Sequence, residues 1–213
     1  MTAAARDRLC LALAAVVLAT LVASGIKPYD RLTWFLETAP VYIAAAVMVY
    51  TYRRFPLSDL LYVLIAIHAI VLIAGGAWTY ARVPLGFWLQ DGLHLSRNPY
   101  DKIGHFMQGF VPALVAREIL LRRGLVTSRA MAAFLSACVA CSVSLVYELI
   151  EWWSALALGQ GADEFLGTQG DPWDTQSDMF SALIGATVAM TLFARLQDRR
   201  VAAIAAGRMA PAG

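Results

Sequence analysis

Residues 101–121 read DKIGHFMQGFVPALVAREILL. Whether that stretch crosses a membrane decides how many times the chain does. By hydropathy it is weak, because Asp101, Lys102, His105, Gln108, Arg117 and Glu118 all fall inside it. Its middle, Phe110 to Ala116, carries no charge. Around it lie five clearer apolar runs, at about residues 9–26, 32–51, 57–80, 130–153 and 175–196. Each is close to the roughly 20 residues that hydrocarbon requires. The first follows Arg6 and Arg8 and has the flank of a secretory signal, but it exceeds a signal h-region of about 7–15 residues, so a retained helix is expected.

Composition demands lipid. The 213 residues are 60% hydrophobic and 15% charged, against about 45–50% and 25% in a soluble domain. A soluble core of this size cannot hide that excess, whereas a bilayer accepts it. The formal charge of +2 gives no case for nucleic acid as a partner. Cys10, Cys138 and Cys141 all lie inside apolar runs, so they are read as packing residues and not as a disulfide framework. Length leaves room for one membrane domain over residues 1–213.

The positive-inside rule settles the doubtful stretch. With residues 101–121 counted as a span, one side collects 12 of the 17 Lys and Arg, with pairs at Arg53–Arg54 and Arg122–Arg123. Without it, the arginines after residue 121 change sides. The expectation is an all-α bundle of about six transmembrane helices with both termini cytoplasmic. Trp34, Trp78, Tyr80, Trp88, Trp152, Trp153 and Trp173 then mark the outer interface.

This topology gathers ionisable residues at the outer face. The fourth span opens with Asp101, Lys102, His105 and Gln108, whose spacings of four and three share a helix face. The fifth ends with Glu148 and Glu151, and the sixth opens with Asp174 and Asp178. The loop before it adds Asp163, Glu164 and Asp171. Charges at membrane depth cost about 2.5–3.5 kcal/mol each on insertion scales, so they mark a functional site by default. Three chemistries fit. Asp101, His105, Glu148 and Asp178 suit a divalent metal, although the sequence names no cofactor. The same four suit metal-free acid–base catalysis around His105. Lys102, Gln108, Glu151 and Asp174 would flank a substrate, with Lys102 and two helix N-termini offered to a phosphate.

Bland readings stand beside these. Asp101 and Asp174 serve equally as N-caps, Lys102 as an outward snorkelling residue, His105 as a core histidine bonded to Glu148, and Glu151 as a solvated residue. The whole group would then be an interhelical polar clamp. His68 reads as a packed residue. Gly75, Gly76, Gly104 and Gly109 read as points of close helix approach. Arg117 and Glu118 lie too near the cytoplasmic end to join the cluster.

The stretches Asp30-Arg31-Leu32-Thr33-Trp34, Tyr52-Arg53-Arg54-Phe55-Pro56-Leu57, Val83-Pro84-Leu85-Gly86-Phe87-Trp88, Tyr100-Asp101-Lys102-Ile103-Gly104-His105-Phe106, Tyr147-Glu148-Leu149-Ile150-Glu151-Trp152-Trp153 and Asp174-Thr175-Gln176-Ser177-Asp178-Met179 resemble the YjdF family of uncharacterised bacterial inner-membrane proteins. The likeness runs from about Asp30 to Leu196. It implies a multi-pass protein of the bacterial inner (plasma) membrane and no particular reaction. Asp101, Lys102 and His105, with Glu148 and Asp174 or Asp178 after them, also resemble the looser pattern of VanZ-like membrane proteins. That resemblance implies an envelope setting, with membrane lipids or lipid-linked envelope molecules as partners. The expectation is an outer-face site, hydrolytic and metal-assisted in one reading. A lipid or cation binder or transporter, or a structural clamp, stands as the alternative.

Overall fold

The computed structural model describes residues 3–158 and 168–209. Among them the chain is helical, without a strand. In order come α1 (Ala3–Ile26), α2 (Arg31–Thr51), α3 (Asp59–Ala77), the short α4 (Pro84–Leu93), α5 (Tyr100–Arg122), α6 (Arg129–Leu158), α7 (Asp174–Val188), a π-helical turn (Ala189–Phe193) and α8 (Ala194–Met209). The last three run on without a break. The first helix is thus a 24-residue rod, longer than the apolar run alone.

Contacts between helices show which ends lie together. The Tyr52 hydroxyl donates to Asp7. The Ser58 N–H and Oγ donate to Glu118 at 2.8 and 2.6 Å. Arg117 reaches Asp198 at 2.9 Å, and Arg129 grips the other oxygen of that carboxylate. These bonds unite the starts of α1, α3 and α6 with the ends of α2 and α5. At the opposite end, the Trp34 Nε1–H donates to Ser24 Oγ at 2.9 Å and the Tyr29 N–H to the Ala77 carbonyl at 2.9 Å. The long rods therefore alternate in direction.

The packing is inverted relative to a soluble protein. Leu11, Val16, Leu18, Val22, Ile43, Val49 and Leu192 are exposed, while Glu37, His105, Gln108, Arg117, Glu118, Glu148, Asp174, Asp178 and Gln197 are buried. Apolar surface facing outward over whole helices needs a lipid solvent. Five helices are long and apolar enough to cross a membrane: α1, α2, α3, α6 and the rod from Asp174. The 23-residue α5 is not among them. It packs against α3, α6 and α7 in the middle of the bundle. A helix that meets protein on most sides is free to carry charges that lipid would reject.

Two glycines set how close that centre packs. A Cβ at Gly109 would lie 1.8 Å from the Ala182 carbonyl oxygen, and one at Gly185 would lie 2.0 Å from that of Phe106. The backbones of α5 and α7 thus touch directly, as small residues allow at membrane interfaces. This contact fixes Asp101–Gln108 against Asp174–Asp178. Gly104 does a different job from the expected helix approach. With Gly75 it makes room for the Tyr80 ring, whose atoms would lie 2.9 and 2.2 Å from added Cβ atoms.

Candidate functional site

The ends of α5, α6 and α7 deliver their polar side chains to one place. On α5, His105 Nε2 lies 3.3 Å from Asp101 Oδ1, one helical turn earlier. Across the α5–α7 contact, Asp178 Oδ1 lies 3.7 Å from the same nitrogen. On the other edge of the ring, Nδ1 meets Gln108 Oε1 at 3.1 Å and Glu148 Oε1 of α6 at 3.6 Å. The Gln108 amide holds the ring in this orientation from its Nδ1 edge. Nε2 is left facing the two aspartates. Single ligand atoms of Asp101, His105 and Asp178 lie within 4.8 Å of one another, as do those of His105, Glu148 and Glu151. His105, Glu148 and Asp178 are all buried. Glu148 Oε1 has no hydrogen-bond donor, an expensive state for a buried acceptor.

The basic residues occupy the opposite flank. Lys102 Nζ sits 2.5 Å from Asp178 Oδ1, 2.8 Å from Asp174 Oδ1 and 3.7 Å from Asp101 Oδ2. It points into the cluster instead of snorkelling out, and its donors go to carboxylates where the sequence offered them to a phosphate. Asp174 is shared with Arg97, 2.6 Å away, which also holds Asp171 at 3.1 Å and the Thr168 carbonyl at 2.8 Å. Neither Asp101 nor Asp174 is an N-cap. Pro99 and Trp173 hold those positions, and both aspartates are already inside their helices. Asp163 and Glu164 lie outside the described residues.

The site therefore has two halves. Lys102, Arg97, Asp171 and Asp174 form a neutralised clamp. His105, Asp101, Glu148, Glu151 and one face of Asp178 form a half with excess acid and spare acceptors.

Sequence reasoning missed several members. Glu37 of α2, an acid inside the second apolar run, is 3% exposed and accepts from the Tyr147 hydroxyl at 2.9 Å. An acid within an apolar run was the signal available. Tyr147 in turn meets the His105 ring edge-on at 6.4 Å between centroids. Tyr80 is thrown into the bundle by two consecutive left-handed residues, Thr79 (φ 52°) and Tyr80 (φ 50°). Such backbone costs about 1–3 kcal/mol per residue and collects at functional sites. Arg97 comes from the α4–α5 loop and had no sequence signal at all.

The acid-rich half opens onto a cavity of about 1490 Å³ between α1, α2, α3, α5 and α6. Glu37, Tyr80, Asp101, His105, Tyr147 and Glu151 line one end of it. Its middle is walled by aliphatic side chains and by His68, whose Nε2 is buried without a partner. Its far end reaches Asp7, Arg53, Arg54 and Arg123. Arg117 and Glu118 stay at that far end of α5, apart from the His105 cluster, where they hold α3 and α8.

Comparisons with known proteins agree on the family. The family described as "Predicted membrane protein (DUF2238)" matches residues 9–199. The "Inner membrane protein YjdF" of Escherichia coli (strain K12) is 59% identical over 181 residues, covering 85% of this chain and 87% of that protein. No solved structure matches.

Proposed function

This chain belongs to the DUF2238 family of membrane proteins and resides in the inner membrane, and on that premise we propose that it is a hydrolase-type enzyme acting at the outer face on an envelope lipid or lipid-linked phosphate. In this reading the protein is a single membrane domain that crosses the bilayer six times, α5 included, with both termini cytoplasmic. The alternation of the long rods and the concentration of arginine at one end support that topology. The likeness of Asp101, Lys102 and His105 to the VanZ-like pattern leans the substrate toward the cell envelope.

One observation carries the reading: His105 is packed among carboxylates from three helices on the wall of an apolar cavity. A lipid enters such a cavity from the membrane, and its polar bond would come to rest where the ionisable groups are. Asp101, His105 and Asp178 are the donors that would hold a divalent cation, with Gln108 orienting the imidazole from its other nitrogen. A bound cation would polarise the scissile bond and offset the negative charge of the site. Glu151, which lines the cavity with His105, would take the proton from the attacking water, and Glu148 faces the imidazole from its Nδ1 edge. The water oxygen bonds to the substrate centre, the ester or anhydride oxygen leaves, and the proton passes to that oxygen. Lys102, Arg97 and Asp174 hold the floor of the site.

Membranes holding equal amounts of wild type and His105→Ala test this against an inner-membrane lipid extract, with released products followed by mass spectrometry. Turnover lost in the variant is the expected result. Equal turnover in both removes the reading. The saturated ion pairs of Lys102 and Arg97 favour a second reading, in which the whole cluster is a clamp. That reading predicts that Glu148→Gln and Asp178→Asn lower the amount of folded protein and abolish no activity.

A further inference from the structure

The cavity does not end at His105. The α5 residues that line it, Asp101, His105, Gln108, Val111, Val115 and Ile119, follow one helical stripe. From Asp101 to Ile119 that stripe is about 27 Å long at 1.5 Å per residue, nearly the ~30 Å thickness of bilayer hydrocarbon. A chain filling it would pass through both leaflets, well beyond the depth that one leaflet's acyl chains occupy. The volume of about 1490 Å³ equals roughly 50 water-sized volumes at about 30 Å³ each, room for a chain of several tens of carbons.

The far mouth supplies the second half of the argument. Arg53, Arg54 and Arg123 line it, all three exposed. Six other cations, Arg97, Lys102, Arg117, Arg122, Arg129 and Arg200, each meet a carboxylate. Among the described residues none of the three mouth arginines does. Arg54 rests on the Tyr50 ring at 4.4 Å and Arg123 on Phe55 at 4.8 Å, contacts that aim a guanidinium without neutralising it. The fourth charge at the mouth, Asp7, accepts from Tyr52. Arg6 shares that hydroxyl with Asp7 and offsets its charge, so the three mouth guanidiniums leave a net charge near +3. A phosphate monoester carries about −1.5 to −2 at neutral pH, and planar guanidinium forks suit its oxygens.

We infer that this cavity binds a single-chain lipid monophosphate whose phosphate rests on Arg53, Arg54 and Arg123 and whose chain, longer than one leaflet, runs up the α5 stripe toward His105. The inference does not depend on chemistry at His105. It gives the arginine end a task beyond setting topology, and it supplies the access from that end which a lipid carrier would need.

The test uses the full chain purified in detergent, with retained lipid read by native mass spectrometry. The probe is a long-chain polyprenyl monophosphate, competed separately against geranyl phosphate, phosphatidylglycerol and phosphatidylcholine. Preference for the long-chain monophosphate by tenfold or more over each competitor is expected. The triple variant R53Q/R54Q/R123Q should lose that preference by at least tenfold. Ala116→Trp, which fills the stripe near its arginine end, should abolish retention. Ala45→Trp, on the exposed lining of α2, repeats that test should the first variant fold poorly. The readout is retention and not turnover, so failure of the hydrolase reading leaves this result standing, and Cys138→Ala, off the cavity lining, should bind as wild type. Equal binding of phosphatidylglycerol or geranyl phosphate, or full retention by the arginine variant, would overturn the inference.

Discussion

Replacing Lys102 by Met asks how much of the acidic cluster is held by charge pairing. Its ammonium lies 2.5 Å from Asp178 and 2.8 Å from Asp174, and those side chains are only 4% and 8% exposed. Taking one partner from a buried ion pair costs about 3–5 kcal/mol, because the other charge is left desolvated. Asp174 keeps Arg97 at 2.6 Å, so only Asp178 is orphaned. The cost should fall at the low end, about 3 kcal/mol, which is more than a hundredfold in the folding equilibrium at about 1.4 kcal/mol per factor of ten. Equilibrium unfolding in mixed detergent, followed by circular dichroism, measures it. Adding Asp178→Asn to Lys102→Met removes the stranded charge and should restore at least half of the loss. Adding Asp174→Asn instead should restore little. A Lys102→Met variant within about 0.5 kcal/mol of wild type, or no rescue by Asp178→Asn, would refute the pairing argument.

Other perturbations read other parts of the bundle. Gly109→Val drives a side chain into the Ala182 carbonyl and should cost at least the ~1–3 kcal/mol of an overpacked core, seen as loss of monodisperse protein on size exclusion. Glu118→Ala strands the Ser58 N–H and the Arg122 guanidinium, and a loss of about 3 kcal/mol or more is expected in the same unfolding assay. Trp34→Phe deletes one side-chain bond to Ser24 and should cost about 1 kcal/mol. Cys138→Ala with Cys141→Ala should change stability by no more than about 0.5 kcal/mol, since both thiols are free.

Much of this architecture is legible in the sequence, because apolar length is a direct physical requirement of lipid. The runs near residues 32–51 and 101–121 correspond to α2 and α5 within one residue at each end. For α5, charge placement points to a span, whereas hydropathy does not. Its central place in the bundle explains why hydropathy is blind to it. The convergence of His105, Glu148 and Asp178 followed from placing three helix ends at one depth. Helix phase could not be read the same way. Asp101 and Asp174 suit caps by residue type, yet Pro99 and Trp173 hold the cap positions one or two residues earlier, and both carboxylates face inward. Lys102 was free to snorkel until its two aspartate partners on α7 were known. Arg97 reaches the site where Asn98 and Gln169 bond the loops before α5 and α7 together, at 3.1 and 3.0 Å. The amphipathic α4 is too short for a span signal, although Pro84 at its first turn was a start cue.

Direct titration of a divalent cation into the purified chain tests the central claim that His105 and its carboxylates form a working site. With manganese or zinc followed calorimetrically, wild type should take up about one equivalent, and His105→Ala and Asp101→Asn should each lose it while keeping the wild-type helical spectrum. No uptake by wild type, or the same uptake in both variants, would contradict the account.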